Sequence, residues 1–396
     1  MDQFEIDFLK ARQDTPGCEN VLHFNNAGAA LMPKQVIDAL IRHITLEAQI
    51  GGHEAAEFSK AAVERVYDSI SSLLNCRPDE IAVVENATRA WDMAFYAIPF
   101  KAGERILTSV AEYASNYIAL LQVSRRTGSQ VEVIPNDEHG QVSVRALREL
   151  IDERVKLVAI THVPTNGGLI NPAIEIGNVT RESNALYLLD ASQSVGQMPI
   201  DVQAIGCDML SAAGRKYLRA PRGTGFLYVR RGVLENAEPP FLDLHAATWI
   251  SSDRYEIRAD ARRFENWETN YAAKIGLGVA VDYALAWGIE RIWERILGLS
   301  AKLRAQLASL PRVTVHDVGQ KKCGIVTFSV DGESSYEIRS KLAQQKINTS
   351  VSTPQSTLID MKARGLGPIV RASVHYYNTE EEVDRFCKAL SSIIGS

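Results

Sequence analysis

Nowhere in the 396 residues does an apolar run reach the ~18 residues that a membrane-spanning helix requires, so no membrane partner is expected. Dense blocks of lysine or arginine are also missing and the net charge is -5, which excludes nucleic acid as a main partner, because phosphate backbones are bound by clustered cations. Cysteine is scarce and dispersed. Cys18, Cys76, Cys207, Cys323 and Cys387 form neither a CxxC pair nor a cysteine–histidine cluster at metal spacing, so free, mostly buried thiols are expected and no metal. Met1 to Leu22 carries charges throughout and has no apolar leader core, and the expected location is the cytoplasm. There is no internal repeat and no low-complexity segment. No HExxH, P-loop, Ser-His-Asp or GxGxxG arrangement stands in its required context. What remains is a globular chain, 46% hydrophobic, long enough for one large domain and a smaller one, with a small molecule as its partner.

What is present is an alternation. Apolar, β-branched runs at 80–84, 105–110, 131–135, 155–163, 185–189 and 224–229 read as strands, and helical patterns at 88–98, 115–126, 143–153 and 172–183 separate most of them. This is the signature of βαβ units and an α/β fold with a mostly parallel central sheet. Helices are expected before it at 33–49 and 55–74. Residues 236–252 read as a loop, and a long helix from 272 to 310 is expected to break near Gly288 and Gly298. Strands at 324–330, 347–352 and 369–376 with helices at 336–345 and 380–394 make a compact α+β module. The expected organisation is an N-terminal arm (1–30), a large domain (31–290) and a small C-terminal domain (291–396) that includes part of the arm.

In parallel sheets ligands bind at the carboxyl ends of the strands. Those ends carry Glu85 to Thr88, Ala111 to Tyr113, Pro164 to Gly168 and Asp190 to Gln193, which are the expected pocket residues. Lys216 follows a small-residue stretch, Ser211 to Gly214, read as a turn that holds the amine in a cleft. Its neighbour Arg215 would lower the amine pKa and favour the free base. Pyridoxal phosphate (PLP) needs this set: an amine to form an imine, a carboxylate for the pyridine nitrogen, an aromatic face, phosphate donors and an arginine for the substrate carboxylate. Lys216, Asp190 and Tyr113 can supply the first three. Ala87 and Thr88 open a helix after a strand, where free N–H groups meet a hydroxyl, and Arg215 adds a charged fork. Gln193, Thr165 or Asn166 can reach the ring hydroxyl. Arg371, inside a C-terminal strand, requires an anion. His53, after Gly51-Gly52, is expected to line the pocket.

Four stretches carry a resemblance: THVPTNGGLINP (161–172), DASQSVGQMPIDV (190–202), GRKY with PRGTGFLYV (214–229) and RASVHYYNTEEEVDRF (371–386). With the Asn25 to Ala30 loop they are similar to class V of the fold-type-I PLP-dependent aminotransferase superfamily, which includes cysteine desulfurases, C–S lyases, isopenicillin-N-epimerase-like proteins and kynureninases. The resemblance implies Lys216 as the imine lysine, Asp190 as the partner of the pyridinium, Gln193 as the contact to the ring hydroxyl, Thr88 as a phosphate contact and Arg371 as the carboxylate site. It places Asn26, Ala27 and Gly28 on the substrate side. Tyr113 falls where desulfurases carry a stacking histidine, after a glutamate that Glu112 matches. Thr269 falls near the position that reaches the partner subunit's phosphate, which implies a homodimer with shared sites. Two departures stand out. Ala213 and Arg215 replace the serine and histidine that precede the lysine in desulfurases, and residues 350–370 lack the reactive cysteine of their mobile loop.

The expected activity is that of a PLP-dependent enzyme that forms an imine with an amino acid and removes its Cα proton, with Lys216 as the proton carrier. Elimination from Cβ of a cysteine-derived substrate, the C–S lyase reaction, is the first reading. Transamination, epimerisation with Tyr113 or His53 as a second base, and a retired PLP-binding or partner protein are the alternatives.

Overall fold

The computed structural model describes residues 7–395. After a two-residue strand β1 (Leu22–His23), seven strands form the central sheet: β2 (Ile81–Val84), β3 (Arg105–Ser109), β4 (Gln130–Ile134), β5 (Val155–Thr161), β6 (Leu186–Asp190), β7 (Met209–Ala213) and β8 (Gly225–Val229). Their order is β2-β8-β7-β6-β5-β3-β4, and only β8 runs against its neighbours. Strand side chains alternate between two faces, and here both faces are apolar. Ala82, Val84, Leu188 and Leu227 pack with Trp91 and Phe95 on one side, whereas Ile81, Val83, Leu189 and Phe226 pack with Ile70, Ile176 and Leu277 on the other. Helices therefore cover the sheet on both sides, as the alternating pattern predicts, and the fold is α/β with a mostly parallel sheet.

A hairpin of β9 (Ala247–Ser251) and β10 (Arg254–Ile257) lies outside this sheet. The C-terminal part forms its own antiparallel sheet from β11 (Val313–Val315), β12 (Ile325–Val330), β14 (Ser350–Ser352) and β15 (Ile369–Ser373), in the order β11-β12-β15-β14. β13 (Ile347–Asn348), just before β14, pairs in parallel with β1 as a separate two-stranded sheet, which ties the N-terminal arm to the C-terminal part.

Several expectations are corrected. Residues 211–213 are not a turn but the end of β7, hidden in sequence because its residues are small; the turn begins at Gly214. The 236–252 loop contains β9, and β10 follows; most of both strands is exposed, so no alternation marks them. The long helix breaks once, at Gly288, where φ of +83° ends Tyr271–Trp287 and Ile289–Ser309 begins. Gly298 sits inside the second helix. Ser59 divides the 55–74 segment into Gly52–Phe58 and Lys60–Leu74. Among the described residues no single helix is long and apolar enough to cross a membrane.

Candidate active site

The chain order reverses direction across the sheet between β5 and β3, and the crevice beyond their carboxyl ends holds a cavity of about 200 Å³. Its wall includes Thr88, Tyr113, Asn116, Thr161, Thr165, Asp190, Ser192, Gln193, Arg215 and Lys216.

Lys216 stands three residues past β7 in a closed loop. The Gly214 N–H donates to the Thr224 carbonyl (3.0 Å), the Ala220 N–H to the Gly214 carbonyl (2.9 Å) and the Arg219 N–H to the Lys216 carbonyl (2.9 Å). The amine is pushed down from 10.5 to about 7, first by burial; Asp190 pulls the other way, and Arg215 and Arg371 add to the depression. Arg215 thus acts in the expected direction, but burial dominates. Gly196, at φ +88°, brings the loop after Asp190 against this turn, since a Cβ there would meet the Tyr217 carbonyl carbon at 2.5 Å.

Asp190 ends β6 and is buried. Its carboxylate accepts the Ser192 N–H (2.9 Å) and the Asn116 side-chain amide (3.0 Å). Thr88 lies in the first turn of the helix Ala87–Tyr96, whose cap residue Asn86 accepts only the Arg89 N–H with its side chain (2.9 Å). Ala87 is in the wall too. Tyr113 precedes the helix Ala114–Thr127 and its ring is 37% exposed, open to the cavity.

The arm completes the site from above. The Ala30 N–H donates to the Arg215 carbonyl (3.0 Å), Gln193 donates to the Ala27 carbonyl (3.1 Å), and the Arg215 guanidinium bonds the Gly28 carbonyl. Asn26 is buried and ties the arm to the Ser373 carbonyl (2.7 Å). Asn26, Ala27 and Gly28 therefore brace wall residues instead of lining the cavity.

Arg371, in β15, is buried with no carboxylate partner among the described residues. It donates to the Thr165 hydroxyl (2.5 Å) and the Ser350 hydroxyl (3.1 Å), and burial lowers its pKa to about 10. Of the three candidates for the ring hydroxyl, Gln193 and Thr165 line the cavity, whereas Asn166 is buried and donates to Thr357 (3.0 Å).

Arg371 is not itself part of the wall and meets it through Thr165, and besides Asn26, Ala27, Gly28 and Asn166 two further expected residues do not reach this cavity. His53 is exposed on the helix Gly52–Phe58, because the two glycines before it start that helix and turn it outward; it supplies no second base within this chain. Thr269 lines a smaller neighbouring cavity that shares Gly223 and Thr224 with the main one. Beside it Glu265 is buried and accepts from Tyr67 (2.8 Å), the Val83 N–H (2.7 Å) and Lys274 (3.1 Å). Asn116 and Thr161 were not anticipated. Glu112 lies before the helix that carries Asn116, so no helical spacing marks their contact, and Thr161 reads as strand interior.

The residues present fit PLP. The side-chain oxygens of Ser192 and Gln193 are buried without a hydrogen-bond partner next to Asp190, and Lys216 faces the same space. The donor set holds an amine, a carboxylate, an aromatic ring and a helix N-terminus.

The family model of aminotransferase class V matches residues 22–386. The chain belongs to the class V aminotransferase family. With the family come its cofactor, PLP, and its class as a PLP-dependent enzyme. Among curated class V relatives, a probable cysteine desulfurase of Xylella fastidiosa is 30% identical over 98% of this chain and 95% of its own. Another from Methanothermobacter thermautotrophicus is 29% identical over 97% of both. The apo structure of a cysteine desulfurase from Thermococcus onnurineus superposes with a TM-score of 0.91 at 26% identity over the whole of both chains. The cystine C–S lyase C-DES, at 22% identity over 95% of this chain and 99% of its own, shares the fold with a TM-score of 0.86.

Proposed function

We propose that this class V enzyme is a C–S lyase acting on cysteine or a cysteine-derived amino acid. One water is consumed, the Cβ–S bond breaks, and the products are a thiol, pyruvate and ammonia. The observation that carries this reading is the condition of the five cysteines. None lines the cavity, and burial raises every thiol: Cys18 and Cys323 to about 11, Cys76 and Cys387 to about 12, and Cys207 further. A sulfur carrier must be a thiolate. The segment 350–368 presents Ser350, Ser352, Thr353, Ser356 and Thr357 in its place. The desulfurase relatives and the neighbouring cystine lyase support sulfur-bearing amino acids as the substrate class.

Lys216, Asp190, Gln193, Thr88 with Ala87, Tyr113, Thr165 and Arg215 would hold PLP, which when bound supplies the electron sink for breaking bonds at Cα and Cβ. Arg371 binds the substrate carboxylate, pre-set by Thr165 and Ser350. Lys216 takes the Cα proton. With its pKa at about 7, roughly half of it is free base at neutral pH, against almost none for an ordinary lysine.

Incubation of the purified enzyme with a cysteine conjugate tests this. Thiol and pyruvate released in equal amounts support elimination; amino transfer that needs an added keto acid, with no thiol, overturns it. The same reading includes a homodimer. Support comes from exposed apolar side chains, Phe58 (79%), Leu244 (69%) and Trp249 (80%), which a lone chain leaves in water. A single-chain mass in sedimentation at micromolar concentration would refute the dimer. Five unpaired cysteines fit a reducing, cytoplasmic setting.

A further inference from the structure

Behind the cavity wall lies a carboxyl group that is not part of the wall and, among the described residues, pairs with no cation. Glu112 is buried three residues past β3 and is not part of the wall, yet its neighbours are. Its carboxyl accepts the Thr161 N–H (3.0 Å) and hydroxyl (2.5 Å), the Tyr113 N–H (3.1 Å) and the Asn116 side-chain amide (2.9 Å). The same Asn116 nitrogen donates to Asp190 (3.0 Å). An amide facing two carboxyl oxygens can present only its NH2, so its orientation is fixed, and each carboxyl pins it for the other. Three strand ends, those of β3, β5 and β6, are thereby joined through one buried acid.

A buried carboxyl is costly, and an apolar residue would serve packing better. Burial raises the Glu112 pKa, the hydrogen bonds from Thr161 and Asn116 oppose that rise, and the nearby Asp190 adds to it. The group earns its place only through what it positions.

We propose that Glu112 is a positioning residue of the cofactor site, fixing the Asp190 carboxylate through Asn116 and the Tyr113 ring through the Tyr113 N–H. The inference rests on the PLP reading of this cavity. Its two targets are the residues that would meet the ring nitrogen and the ring face of PLP, so one acid sets the placement of both.

The test uses the PLP-loaded enzyme and three variants: Glu112→Met, Asn116→Ala and the double substitution. PLP affinity is read by absorbance titration, the position of the visible cofactor band by spectrum, and folding by the melting temperature of the cofactor-free chain. Each single substitution is expected to weaken PLP binding about 10- to 100-fold, the range for a lost hydrogen bond to a charged group, and to move the band. Because Glu112 and Asn116 act along one path to Asp190, the double variant should lose far less than the product of the singles. Asn116→Ala should melt within a few degrees of the wild type. Should Glu112→Met fail to fold, Glu112→Asp, whose carboxyl is too short to span Thr161 and Asn116 together, is read in the same way. Unchanged affinity and band in the folded variants, or fully multiplicative losses, overturn the proposal while leaving the site assignment intact. A wild-type chain that takes up no PLP overturns the cofactor reading itself.

Discussion

Removing the PLP and replacing Lys216 by methionine should give a stability difference that depends on pH in a defined direction. In the folded, cofactor-free chain the amine titrates at about 7, against 10.5 for an ordinary lysine. Below pH 7 the folded chain must hold a charge that its buried site disfavours, and the penalty is complete. Between about 7 and 10.5 the unfolded chain binds a proton that the folded chain does not, so stability rises with pH through this window and levels off above it. The full displacement corresponds to about 5 kcal/mol at most. Water entering the open cavity lowers that, and about 2–4 kcal/mol is expected. Lys216→Met removes the titration, so it should exceed the wild type by that amount near pH 6.5 and by only about a fifth of it near pH 10. Urea unfolding of both cofactor-free proteins across this range measures the difference directly. A gap that stays constant with pH, or one that widens as pH rises, would refute the burial of this amine.

Three further outcomes follow from the packing around the site. Gly196→Ala places a Cβ against the Tyr217 carbonyl carbon at a φ of +88°, and should cost about 1–3 kcal/mol in thermal unfolding while weakening PLP uptake, because the Asp190 loop is forced off the Lys216 turn. Lys274→Met leaves the Glu265 carboxylate buried without its cation, a loss of about 3–5 kcal/mol. Although burial raises its pKa, Lys274 and the surrounding donors hold Glu265 down at about 2 from 4.5, so its stabilisation is complete above 4.5 and fades as pH falls towards 2; chemical denaturation at pH 7 and near pH 3 separates the two regimes. Thr165→Val frees one arm of Arg371 and should raise KM for the amino acid about tenfold while changing kcat less, measured by steady-state kinetics.

How much of this could be read from the chain depended on whether a residue's neighbours were local. Asp190, Gln193, Thr88 and Tyr113 each sit close beyond an apolar run, and the rule that parallel strands deliver ligands at one end places them in one crevice, whose wall they share with Lys216. Met209–Ala213 escaped because its small residues carry little β signal, although it is buried between β6 and β8. The β9–β10 hairpin escaped for the opposite reason: it is mostly exposed, so alternation has no core to follow. Asn116 and Thr161 act on Glu112 from a helix and from a neighbouring strand, a juxtaposition that only the sheet order creates. His53 shows the reverse error, since proximity to glycines suggested a pocket where the chain simply starts a helix.

The arm laid across the Lys216 turn has a consequence for biosynthesis. Its carbonyls at Ala27 and Gly28 brace Gln193 and Arg215, but it is itself anchored by Ser373 and Tyr377, through the Asn26 amide (2.7 Å), the Ala27 N–H (2.9 Å) and the Leu31 N–H (3.2 Å). The segment that leaves the ribosome early thus waits for almost the last segment translated before it can settle. Until residues 371–378 emerge, the arm lacks these anchors, so the roof over the lysine turn is completed only when the two ends of the chain meet.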